Sequence, residues 1–193
     1  MRVIAGLFRG RKLEAPPNVV TRPITDRVKE TLFNILGHRL AMPGQLPGLD
    51  VLDLFAGPGS LGIEALSRGA RSCVFVEHDR HVLRCLRQNV AHLEIEAAST
   101  VLADNAWTMR LPQCAAGFGL IFVDPPYRDT QNPRRLLNLL DRLAPVLAAD
   151  GLVALRCAAR SPAPPPAELQ VLRPVDERVV GRMRLVLLAA ADP

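Results

Sequence analysis

From Asp26 onward the apolar residues Val28, Leu32, Ile35, Leu36 and Leu40 recur close to the interval that lines one face of a helix. Thr25 and Asp26 are its candidate N-caps. The spacing predicts a helix over about 26–39, and Pro43, Gly44, Pro47 and Gly48 then predict a connector over 41–49. From Asp50 the pattern changes to short apolar runs alternating with helical ones: VLDLF at 51–55, a helix near 60–68, CVFVE at 73–77, a helix near 80–92, and a strand near 99–102. LIFVD at 120–124, a helix near 133–147 and LVALRC at 152–157 complete the series. Strands that alternate with helices predict an α/β fold around a mostly parallel sheet. PAPPPA at 162–167 predicts a bend, after which strands near 169–173 and 183–190 would form an antiparallel edge. Before the first helix, segment 1–20 carries short apolar stretches around Arg9, Gly10, Arg11 and Lys12 and then meets Pro16 and Pro17, the pattern of an arm or small hairpin. The chain divides on this reading into an arm with its helix, 1–45, and an α/β domain, 46–193.

Composition narrows the picture. A chain of 193 residues has room for one main core. With 49% hydrophobic and 22% charged residues it is not a disordered chain, and its four cysteines show neither a dense disulfide framework nor the close pairing of a zinc site. No apolar run approaches the roughly 20 residues of a membrane span, and the N-terminus lacks a secretory pattern, so a cytoplasmic location is expected. Aromatic residues make up only 4%, too few for a surface of repeated stacking platforms but enough for one pocket. The formal net charge is +5, and Arg2, Arg9, Arg11 and Lys12 contribute four positive charges with no acid among the first twelve residues. Such a cluster suits phosphate contacts, which position a nucleic acid without identifying a base.

The run VLDLFAGPGSLGIEAL sets Gly57, Gly59 and Gly62 in GxGxxG spacing after a predicted strand, with Glu77 twenty residues beyond Gly57 at the end of the next strand. This satisfies a nucleotide-cofactor signature. Pro58 lacks an N–H for anion binding and Asp53 adds negative charge, both unfavourable to a pyrophosphate. S-adenosylmethionine brings an ammonium and a sulfonium instead, so Asp53 would favour it directly or through water. Asp104 and Asn105 follow the third predicted strand and offer acceptors to an adenine amine.

The sharper signal is Asp124, Pro125, Pro126 and Tyr127, directly beyond the fourth predicted strand. Asp124 and the Pro125 carbonyl can accept hydrogen bonds from an exocyclic amine, and Tyr127 can stack on a planar ring. The arrangement suits methyl transfer to a nitrogen held in line with the donor, on a base that is flipped or already unpaired. By itself the tetrad also fits a DNA base or a protein amide, and a non-catalytic RNA-binding module with this fold is a third reading.

In order along the chain, MRVIAGLFRGRKL, TRPITDRVKETLFNIL, VLDLFAGPGSLGIEALSRGA, FVEHD, the 104–106 region and IFVDPPY resemble the RsmD family of bacterial ribosomal RNA guanine-N2 methyltransferases. The resemblance covers nearly the whole chain. It implies a class I S-adenosylmethionine-dependent methyltransferase with a Rossmann-like, mostly parallel seven-stranded sheet, an antiparallel C-terminal edge and a small N-terminal arm. The substrate it implies is one guanine of 16S ribosomal RNA, in a partly or fully assembled 30S subunit. It assigns Asp53, Gly57 and Gly59 to the methionine side of the cofactor, Glu77 to its ribose and Asn105 to its adenine side, with Phe55 and Asp104 also among the expected cofactor-binding residues. Asp124, Pro125, Pro126 and Tyr127 would form the target-amine pocket, while Arg9, Arg11, Lys12, Arg22, Thr25 and Arg27 would face RNA or order the following helix. Two positions depart from the family pattern: Pro58 stands where the loop usually has Ser, and Asn105, with Asp104 beside it, stands where the family has an acid.

Overall fold

The structure is a computed structural model that describes residues 1–16, 24–126, 132–160 and 168–191. Its centre is a seven-stranded sheet of β1 (Asp50–Leu54), β2 (Ser72–Glu77), β3 (Ser99–Ala103), β4 (Phe118–Val123), β5 (Leu147–Ala158), β6 (Leu172–Val180) and β7 (Met183–Ala190), in the order β3-β2-β1-β4-β5-β7-β6. The first five strands are parallel, and β7 runs antiparallel between β5 and β6. From β1 the chain moves outward through β2 to β3 and then crosses back to β4 on the other side of β1. In an open α/β sheet this reversal leaves a crevice beyond the carboxyl ends of the two strands that part.

Successive strand residues point to opposite faces, and here both faces are covered. Val51, Phe75, Leu120 and Phe122 join one apolar cluster, while Leu52, Leu54, Val76, Ile121 and Val123 join the other. The first cluster packs under α1 (Asp26–Arg39), α2 (Ser60–Ser67) and α3 (Arg80–His92), the second under α4 (Pro133–Asp141). Thr25 caps α1 by accepting the Val28 N–H, and the Asp79 carboxylate caps α3 by accepting the His81 and Val82 N–H groups, which depresses the Asp79 pKa. Among the described residues no helix is long and apolar enough to cross a membrane.

The N-terminal arm is a small hairpin in which Val3 and Arg11, Gly10 and Val3, and Leu13 and Met1 are joined by backbone hydrogen bonds. Val3 and Leu13 enter the same apolar cluster as α1 and α2. Buried Glu64 anchors the hairpin: its carboxylate accepts the Ile4 and Ala5 N–H groups at 2.8 and 3.0 Å and the Arg68 guanidinium at 2.9 Å, with Lys29 Nζ at 3.4 Å. Lys29 Nζ also donates to the Arg2 carbonyl at 2.7 Å, although burial lowers its pKa. A carboxylate with four partners offsets the desolvation that an isolated buried charge would suffer.

Three boundaries differ from the sequence expectation. The fourth helix ends at Asp141 rather than near 147, because Pro145 has no N–H for a helical ladder and the chain tightens into a 3-10 turn over Ala144–Val146. Strand β5 begins at Leu147 instead of 152, pairing Leu147 with Phe118 across a register shift that its apolar core does not announce. The strand expected at 169–173 runs over Leu172–Val180 as the sheet's edge, where one side needs no apolar residues and Pro174 is tolerated at a second register shift. PAPPPA at 162–167 lies outside the described residues.

Candidate active site

The carboxyl ends of β1, β2, β3 and β4 bring Phe55, Glu77, Asp104 and Asp124 to one rim of the sheet, since Leu54 pairs with both Val76 and Val123 and Glu77 pairs with Ala103. Beyond β1 the chain makes a tight turn into α2. Phe55, Gly57 and Gly59 all have positive φ, of 68°, 58° and 92°. A Cβ on Gly57 would enter open space, whereas one on Gly59 would meet Leu86 and Ile63 at 2.7 and 2.8 Å. Gly57 is therefore the open face of the loop and Gly59 its packed underside. For Phe55 a left-handed backbone is strained, and its ring is held against Trp107 at 4.9 Å between centroids. The Arg135 guanidinium lies 4.3 Å above the Trp107 ring.

Glu77 is largely shielded, with its side chain 10% exposed. Oε1 accepts the His78 and Asp79 N–H groups at 2.8 and 2.9 Å, and Oε2 accepts the Gly57 N–H at 3.0 Å. A carboxylate has about four acceptor positions, so Oε2 retains one for a hydroxyl of a ligand. Asp104 Oδ1 accepts the Asn105 N–H at 2.7 Å, and Asn105 Oδ1 accepts the Trp107 N–H at 3.0 Å. Asn105 Oδ1 thus closes a local turn and keeps one further acceptor position, beside the exposed Asp104 carboxylate.

Asp53 differs from expectation. The sequence suggests direct or water-mediated approach to a cationic ligand, but the residue is 1% exposed and Oδ2 accepts the Gly62 N–H at 2.9 Å, tying β1 to the first turn of α2. Burial, with added repulsion from Asp124 and Glu77, pushes its carboxyl up to about 8. The negative charge facing the loop comes instead from Glu77.

At the end of β4, Asp124 is held by Arg156 of β5 through two bonds of 2.6 Å, Nε to Oδ1 and a terminal nitrogen to Oδ2. Val123 and Leu155 are paired in register, so the two charged residues are the next rung at the sheet's rim. Bidentate geometry fixes the carboxylate plane and leaves each oxygen a further acceptor position. Pro125 is buried and Pro126 partly so, while Tyr127 lies outside the described residues. Sequence reasoning missed Arg156, Trp107 and Asn89. Their signals were a charge inside LVALRC, the single tryptophan three residues past Asp104, and a polar residue on the apolar face of the third helix.

On the arm, Arg9, Arg11 and Lys12 are exposed, and Arg11 also donates to the His92 carbonyl at 3.2 Å. On α1, Arg27 is exposed and Thr25 serves as the cap, while Arg22 lies outside the described residues.

The profile of a family described as "Conserved hypothetical protein 95" matches residues 1–189. YlbH of Bacillus subtilis, a putative rRNA methyltransferase by name, is 41% identical over 157 residues, covering 79% of this chain and 80% of YlbH. Ribosomal RNA small subunit methyltransferase D of Escherichia coli is 43% identical over 128 residues, covering 66% of this chain and 61% of that protein. The chain belongs to the RsmD family of ribosomal RNA methyltransferases. Its alignment spans less than two thirds of the Escherichia coli enzyme. The solved structure of yhhF from Escherichia coli superposes with a TM-score of 0.78 at 33% identity, covering 100% of this chain and 99% of that one. The mixed sheet with its antiparallel C-terminal edge is the class I methyltransferase fold. In this RsmD-family chain the Pro58 departure leaves the Gly57 N–H on Glu77 intact.

Proposed function

We propose that this chain transfers a methyl group from S-adenosylmethionine to the exocyclic N2 amine of a guanine in 16S ribosomal RNA of the small subunit. The observation that carries the reading is the adjacency of two devices at the switch point. A glycine turn faces the Glu77 carboxylate, and a strand away the Asp124-Pro125-Pro126 end of β4 supplies acceptors. When bound, S-adenosylmethionine supplies a methyl group on a positively charged sulfur, which leaves as a neutral thioether.

The residues present fit that group. Glu77 Oε2 has acceptor capacity for a ribose hydroxyl, the exposed Asp104 carboxylate for the adenine amine, and Gly57 leaves the loop open where a side chain would stand. Asp124, and with it the Pro125 carbonyl, accept the two protons of the guanine amine, and Tyr127 supplies a ring for stacking. Holding both protons would fix the amine so that its nitrogen lone pair, which projects from the face of the base, is presented to an electrophilic methyl group. Arg156 holds Asp124 in the orientation this needs. As the carbon–nitrogen bond forms the carbon–sulfur bond would break, and the amine, made cationic by the methyl group, would lose one proton to water; Asp124 acts as an orienting acceptor, with no demand for a strong base. Segment 1–45 presents the phosphate contacts, and 46–193 holds the cofactor and amine pockets. A ribosomal substrate is met in the cytoplasm.

The test is methyl transfer from labelled S-adenosylmethionine to purified 30S subunits and to naked 16S RNA, followed by nucleoside digestion. N2-methylguanosine is expected. Asp124→Ala is expected to lower turnover by at least about a hundredfold, the scale of a lost orienting contact, with cofactor affinity close to wild type, and Arg156→Met to lower turnover by a smaller factor. Label in protein, in DNA or in another nucleoside would overturn the assignment.

A further inference from the structure

Asn89 is a buried amide, 1% exposed, on the apolar face of α3. Its side chain spends its hydrogen-bonding capacity on the backbone of two distant segments. Nδ2 donates to the Pro58 carbonyl in the cofactor loop at 2.8 Å and to the Glu14 carbonyl at the end of the basic arm at 2.9 Å, and Oδ1 accepts the Glu14 N–H at 2.7 Å. Both donors and an acceptor are required at once, a combination that Asp or Leu does not supply.

The loop is therefore gripped from two sides. The Gly57 N–H is held by Glu77, which faces the ligand, and the adjacent Pro58 carbonyl is held by Asn89, which faces the arm. Leu13, just before Glu14, is buried, and Arg11, just before Lys12, binds the His92 carbonyl at the end of the same helix. Lifting the arm would leave the Glu14 backbone groups and the Asn89 amide without these partners, and Asn89 would then be free to turn away from Pro58.

We propose that Asn89 is a positioning residue that makes the basic arm part of the cofactor site. The loop keeps its ligand-binding shape while the arm is seated on Asn89, so cofactor binding and arm seating reinforce each other. This rests on the reading that the loop binds S-adenosylmethionine and the arm binds RNA. By linkage, whatever the cofactor does to the arm, an RNA that steadies the arm does to cofactor affinity.

Hydrogen exchange of the full-length wild-type protein, with and without saturating S-adenosylmethionine and with no RNA, tests the proposal directly. The segment 11–16 is expected to exchange at least about fivefold more slowly with the cofactor present, the lower end of ordinary coupling between sites. Glu14→Pro removes the N–H that Asn89 accepts and changes no residue of the loop or the helix. With folding checked by circular dichroism, it is expected to raise the S-adenosylmethionine Kd by about the same factor or more. Unchanged exchange in 11–16, or a folded Glu14→Pro protein with wild-type Kd, overturns the proposal; if the variant does not fold, the wild-type exchange result decides alone. A wild-type protein that binds no S-adenosylmethionine overturns the methyltransferase reading itself, and so is told apart from a protein that binds it without protecting the arm.

Discussion

Asp53 sits beneath the glycine turn with its carboxyl raised to about 8 by burial and by two neighbouring carboxylates. Its folded pKa lies above the unfolded value near 3.8, so the folded protein holds a proton that the unfolded chain has lost between these limits. The favourable contribution is complete below the unfolded value and is lost as pH rises towards 8. Stability should fall across about pH 5–7 with a slope of up to about 1.4 kcal/mol per pH unit from this group. Asp53→Asn keeps an acceptor for the Gly62 N–H but does not titrate. Its melting temperature is expected to vary less with pH over this range, by several degrees, and parallel Tm-versus-pH curves for the two proteins would exclude the raised carboxyl. Along the chain, Asp53 in VLDLF looks like a charge offered to a ligand, and only its burial against Gly62 shows it as a tie between strand and helix.

At the scale of elements, α2 and β2 approach so closely that a Cβ on Gly62 would lie 2.3 Å from the Phe75 ring and 2.6 Å from Cys73 Sγ. Both neighbours are fully packed, and outward movement of the helix is opposed because Glu64 and Ser67 on the same helix hold the arm. Gly62→Ala is expected to destabilise the fold by about 1–3 kcal/mol, the usual cost of overpacking, measured by denaturant unfolding; a loss below about 0.5 kcal/mol would mean that the helix relaxes freely. The GxGxxG pattern thus contains three different demands. Gly57 leaves the outer side of the turn open, Gly59 turns the chain above Leu86, and Gly62 lets the helix meet the strand. The alternating apolar runs make most elements legible along the chain, including the antiparallel end. The edge strand β6 is displaced from its expected position because a strand with a solvent-facing side carries little apolar periodicity, and the early start of β5 is hidden by the polar Asp150 and Gly151 within it.

At the scale of the whole molecule, the arm concentrates positive charge on a hairpin locked to the domain by Glu64, Ser67 and Asn89. Its exposed cations are therefore held at a set position relative to the rim that carries Glu77 and Asp124. Replacing Arg9, Arg11 and Lys12 together with Ala is expected to reduce the steepness of log K against log salt for RNA binding by about 2 to 3, given roughly 0.7–0.9 per phosphate contact. The loss should be similar for RNAs of different sequence, because phosphate contacts position without reading bases. Filter binding across a salt series measures this, and an unchanged slope would place the RNA elsewhere on the surface.

The sequence by itself determined the order of strands and helices, the glycine turn, the acid twenty residues beyond it, the Asp-Pro-Pro-Tyr signature and the basic arm. Each is a local pattern set by side-chain periodicity, backbone freedom or charge. Tertiary structure alone decided which of those groups keep open acceptor positions at the sheet's rim and which are tied into the fold. Asp53 went inward, Asn105 closed a turn, Arg156 arrived beside Asp124 from a neighbouring strand, and Asn89 joined residues 75 and 31 positions away. Such pairings depend on strand register and helix rotation across the sheet, and no spacing along one segment of chain encodes them.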